Sequence, residues 1–102
     1  MITIGTFTKA DGGVFEGVIR TLTLAAEFVA IRPVTRTSDK APDYAVSAGA
    51  LELGAAWTVT REGKPECLSV RIDDPSFAAP VHGLLVEAGD GYELRWGRRT
   101  KG

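Results

Sequence analysis

A chain of 102 residues with 44% apolar and 25% charged side chains has the composition of one soluble globular domain, not of a disordered or membrane-spanning chain. Twelve basic against thirteen acidic residues leave a formal charge of −1, which excludes a global attraction to nucleic acid or anionic membrane and leaves only a local patch for either. The lone Cys67 excludes an internal disulfide, and the first residues lack the basic region and long apolar run of a signal peptide, so a cytoplasmic setting is expected.

Period-two alternation recurs along the whole chain. Ile2 to Thr8 reads as a first strand, and Asp11-Gly12-Gly13 as a turn, because glycine accepts positive φ without steric cost. Val14 to Leu24 returns, bent at Gly17, and Phe28 to Val34 follows, with Pro33 suggesting a sheet edge. Thr21 to Ala30 also fits a helix by its apolar spacing, but Thr21, Thr23 and Val29 favour a strand. A polar connector from Thr37 to Asp43 leads to Tyr44, Val46 and Ala48.

The clearest signal is a hairpin from Leu51 to Ile72. Leu51, Leu53, Ala55, Trp57 and Val59 alternate before a turn at Arg61–Glu66, and Leu68, Val70 and Ile72 alternate after it. The face with Trp57 and Val70 is expected in the core, which leaves Gly54 and Ala56 as a flat, bare outer face. Asp73 to Phe77 reads as a turn or one short helical turn, since Asp74 can cap and Pro75 suits a first helical position. Val81 to Glu87 and Tyr92 to Trp96 form a last hairpin across Ala88–Gly91. The expectation is a single all-β domain over residues 1–102, an antiparallel barrel or sandwich of about seven to eight strands. Residues 95–102 are expected as a flexible basic tail.

Chemistry is sparse. Cys67 and His82 could pair as nucleophile and base, but nothing in the pattern brings them together. One histidine and one cysteine do not supply the roughly four ligands zinc needs. Asp39, Asp43, Asp73 and Asp74 lie in loops, where carboxylates more often close turns than bind cations or act as acid and base. No glycine-rich phosphate loop occurs. The expectation is therefore no enzyme, no cofactor, no metal and no small-molecule substrate. The run Arg95-Trp96-Gly97-Arg98-Arg99 could contact phosphates and stack on bases, with Trp57 or Tyr44 as further platforms.

A pattern spans nearly the whole chain: Ile4-Gly5-Thr6-Phe7, Gly17 to Leu22, Ser38 to Tyr44, Gly54-Ala55-Ala56-Trp57, Leu68 to Phe77 and Leu94 to Arg99. In these motifs the chain resembles the bacterial domain-of-unknown-function family 736. The resemblance implies a small cytoplasmic domain often encoded on plasmids, integrated elements and phages, with no activity or catalytic residue to transfer. Members are usually more polar where this chain has Leu24-Ala25-Ala26-Glu27-Phe28, and often aromatic where it has Cys67, so the extra apolar surface suggests self-association. The Pro-Asp-Tyr, Ala-Ala-Trp and Leu-Ser motifs are also similar to those of some phage single-strand-binding barrels.

Two functions are expected from these readings. The first is a non-enzymatic protein-binding or self-associating module of a mobile genetic element, with Asp39, Asp43, Tyr44, Gly54, Ala56, Asp73 and Asp74 as its partner surface. The second is a single-stranded nucleic-acid-binding barrel using Trp57, Arg95, Trp96, Arg98 and Arg99.

Overall fold

The alternating segments form eight strands, and the computed structural model describes residues 2–22 and 24–96. In chain order they are β1 (Ile2–Lys9), β2 (Phe15–Arg20), β3 (Ala25–Pro33), β4 (Tyr44–Ala48), β5 (Leu51–Val59), β6 (Cys67–Ile72), β7 (Val81–Ala88) and β8 (Gly91–Trp96). Each pairs antiparallel with its chain neighbours, and β8 returns to β1 to close a barrel. The architecture is thus an up-and-down barrel, and among the described residues no sheet edge is left open.

Several boundaries differ from the sequence expectation. Pro33 marks no edge: it is the last residue of β3 and lies opposite Tyr44, where its missing N–H falls at the end of a ladder. The second strand stops at Arg20, because the Thr21 N–H donates to the Leu24 carbonyl at 2.7 Å while Thr21 Oγ1 accepts the Leu24 N–H at 3.1 Å. Asp74 to Phe77 is a β-turn closed by the Phe77 N–H on the Asp74 carbonyl at 2.8 Å, not a helical turn. A single turn of 3-10 helix lies instead at Asp11–Gly13, with Gly12 and Gly13 both at φ 77°. Arg95 and Trp96 belong to β8 and not to a tail.

Eight strands enclose an interior just wide enough for side chains to fill. Ile19, Ile31, Val46, Ile72, Leu85 and Leu94 pack there with essentially no exposure, and no polar or charged side chain is buried among the described residues. Each such aliphatic burial contributes about 1.5–3 kcal/mol.

The ladder slips by one residue at three points, and each slip shifts which side chains face inward. On β5 the slip falls at Leu53. Leu53 before it and Ala56 after it are both buried, so the inward set continues with Ala56 opposite Val70 and excludes Trp57. The expected faces of this hairpin are therefore exchanged beyond Leu53: Ala56 is 0% exposed, and Trp57 stands half-buried on the outside. Gly54 and Gly17 sit where neighbouring backbones press closest. A Cβ on Gly54 would lie 1.9 Å from the Arg71 carbonyl oxygen, and one on Gly17 would lie 2.0 Å from that of Thr6.

Candidate functional site

The barrel has two unlike ends. One carries the Lys9–Phe15, Pro33–Tyr44, Val59–Cys67 and Ala88–Gly91 connections, and Phe15, Tyr44 and Tyr92 close it. Phe15 meets Tyr92 edge-on with centroids 4.9 Å apart, and Tyr44 at 6.0 Å. The opening they leave, about 180 Å³, is smaller than the few hundred Å³ typical of a ligand pocket. Tyr44 is thus engaged in the barrel mouth and does not join a surface with Asp43.

Asp39, Asp43 and Trp57 do come together, as a latch. The Asp43 carboxylate accepts the Thr58 N–H at 2.8 Å and faces Arg36 Nε at 3.6 Å. Its backbone N–H donates to the Ala56 carbonyl at 3.0 Å, and its carbonyl accepts the Val34 N–H at 3.0 Å. Arg36 also donates to the Asp39 carbonyl, and Trp57 Nε1 donates to the Lys40 carbonyl at 3.2 Å. These groups fold the 34–43 connector onto the outside of β5, and their hydrogen-bonding capacity is largely spent there.

Asp73 and Asp74 lie at the opposite end. The Asp73 N–H donates to the Leu53 carbonyl at 2.8 Å, and the Asp73 carboxylate accepts the Asp74 N–H at 2.9 Å. Asp74 accepts the Ser76 N–H at 2.9 Å and hydroxyl at 2.5 Å, and these bonds hold its carboxyl below the usual carboxylate range. Leu53 and Thr58 are five strand positions apart, about 16 Å at strand rise, so the two aspartate pairs do not form one site. With Ala56 inside and Gly54 against the β6 backbone, the expected partner surface over Gly54 and Ala56 does not exist.

The basic candidates diverge as well. Both Nε and Nη2 of Arg95 donate to Glu93 Oε1 at 3.1 Å, on the outside of β8. Trp96 packs against the core, and Trp57 lies on β5, three strands away around the barrel. Arg98 and Arg99 lie outside the described residues. Cys67 is buried opposite Val59, whereas His82 is exposed opposite Arg71, four positions further along β6 or about 13 Å, so they form no dyad. No group of three metal-ligating side chains occurs among the described residues.

A different surface stands out on β2, β3 and β4. Where β2 and β3 slip, Val18 faces both Glu27 and Phe28, and these successive residues project outward together. Phe28 has φ 59°, the one positive φ outside glycine among the described residues, and its side chain is 82% exposed. A groove of about 600 Å³ runs beside it, and its lining includes Gly17, Ala30, Ser47 and Gly49 together with Glu16 and Arg32. Of the other four large exposed apolar residues, Ile2, Leu22 and Leu51 lie at the Asp73–Asp74 end of the barrel, the end to which Phe28 is nearer. The sequence marks the stretch only as unusually apolar. The slip that turns Phe28 outward depends on how two strands pair, which no local pattern encodes.

Comparison with known proteins returns no match among curated proteins and none among solved structures. A family model does match, over residues 3–99 of the 102, from β1 through the end of β8. The chain belongs to the family described as protein of unknown function (DUF736).

Proposed function

We propose that this protein is a non-enzymatic protein-binding module that engages its partner through the surface around Phe28. One observation carries the reading: a large apolar side chain stands 82% exposed on a backbone that disfavours it. A left-handed conformation costs a non-glycine residue about 1–2 kcal/mol. Stability alone selects glycine at such a position, and water selects a polar side chain. Phenylalanine meets neither demand, and strained, exposed residues of this kind concentrate where proteins bind. The closed barrel supports the same reading, because a partner has no open edge to extend with a strand and must dock on outward side chains. A mobile genetic element as the setting rests on the family resemblance alone.

The test places a photo-crosslinking amino acid at Phe28 and, separately, at His82, which is exposed on the outside of β7. Protein adducts are expected from position 28 and not from 82, and Phe28→Gly is expected to weaken binding of the adduct partner on the order of thirtyfold. The same variant should be no less stable than the wild type, because relief of the left-handed backbone offsets the extra freedom glycine gives the unfolded chain, which separates lost binding from lost fold. Equal adducts from both positions, or binding unaffected by Phe28→Gly, would overturn the proposal.

A further inference from the structure

We infer that the partner at this surface is a second copy of the chain, docked about a two-fold axis; this rests on the binding reading above. A two-fold interface uses the same patch on both subunits, so the patch must complement itself in shape and in charge. The β2–β3–β4 surface has both properties. Phe28 is a knob, and the groove beside it is a hole lined by the small residues Ala30, Ser47 and Gly49. The pairing explains the hole: Glu16, Ala30 and Ser47 lie side by side across three strands, so two of the three positions carry only a methyl group and a hydroxymethyl group.

Charge points the same way. Glu16 on β2 and Arg32 on β3 both flank the groove, and neither makes an ion pair among the described residues. Glu27, the other acid at the groove, is already matched by Arg20 at 3.5 Å. A partner of one charge sign would satisfy only one of the two free groups. A second copy satisfies both, by setting each Glu16 against the other subunit's Arg32 while each Phe28 ring enters the other's groove.

Sedimentation equilibrium on the full chain tests this. The wild type is expected to dimerise, and Phe28→Gly to weaken the dimer on the order of thirtyfold, as removal of a central aromatic anchor does. Glu16→Arg and Arg32→Glu, each alone, set like charges together and should yield monomers. An equimolar mixture of those two variants restores opposite charges across the axis and should recover a heterodimer. That recovery depends on the pairing itself, so a folding defect cannot mimic it. A monomeric wild type at high concentration, or a mixture that stays monomeric, overturns the second-copy inference. If the wild type is monomeric while crosslinking at position 28 still captures another protein in a Phe28-dependent way, the binding reading survives and only its occupant is wrong.

Discussion

The Asp43 carboxylate takes the backbone N–H of Thr58, fifteen residues further along the chain, at 2.8 Å. Strand β4 begins at Tyr44 opposite Ala56, so it offers no carbonyl to Thr58, and the side chain of Asp43 extends the ladder by one rung.

Removing that acceptor leaves a strand N–H without its partner, and Asp43→Ala is expected to cost about 1–3 kcal/mol in urea denaturation followed by tryptophan fluorescence. Asp43→Asn keeps an amide oxygen for Thr58 and gives up only the partly exposed pairing with Arg36, worth about 0.5 kcal/mol. Equal losses in the two variants would show that charge, not the hydrogen bond, holds the connector.

At Gly54 the expected effect is larger. A methyl group there meets the Arg71 carbonyl oxygen at 1.9 Å, in a contact between two backbones that no rotamer change can relieve. Gly54→Ala should lower stability by at least about 3 kcal/mol. Gly63, also a glycine but at φ 73° with open space around it, serves as the comparison: Gly63→Ala should cost only about 1–2 kcal/mol. Similar melting temperatures for the two variants would mean that β5 and β6 can separate at this point without penalty.

The strands themselves were legible because turn chemistry and alternation agree along most of the chain. Asp11-Gly12-Gly13 and the Arg61–Glu66 segment each stand between neighbouring strands as their composition suggests, and within Ala88–Gly91 the two central residues, Gly89 and Asp90, do. The faces were less legible. Alternation from Leu51 to Val59 identifies a strand correctly, yet it assigns Trp57 to the core and Ala56 to the surface, the reverse of what is found. The cause is the slip at Leu53, set by how β5 pairs with β4, which leaves the alternation within β5 intact. The same limit hides Phe28. Its neighbours Leu24 to Phe28 look merely apolar in sequence, and only the pairing of β2 with β3 decides that Glu27 and Phe28 turn outward together. The loop aspartates were visible as residues, but whether a carboxylate is free or spent depends on its partners, and Asp43 and Asp74 are both spent.

Asp74 supplies a pH-dependent prediction. Its carboxyl sits below the ordinary value chiefly because the Ser76 hydroxyl bonds its charged form, with the Ser76 N–H adding to this. A carboxyl depressed in the folded state contributes stability that is present above its unfolded value, near 3.8, and is lost as pH falls through the lower folded value. Ser76→Ala should therefore lower the melting temperature at pH 6, and the gap from wild type should close as pH falls below about 4. A gap that stays constant down to pH 2 would mean that Ser76 acts through packing and not through the carboxylate.

Closure of the barrel also has a kinetic meaning. Ile2 lies opposite Trp96, and the Thr3 hydroxyl reaches Glu93 across ninety residues of sequence at 3.1 Å. The final ladder thus joins segments from far apart in the chain, the kind of pairing that slows folding. During synthesis, β1 must wait for β8 with one side of its backbone unpaired. For that interval the nascent protein presents the open strand edge that the finished barrel lacks, and it is then that aggregation or chaperone capture competes with folding.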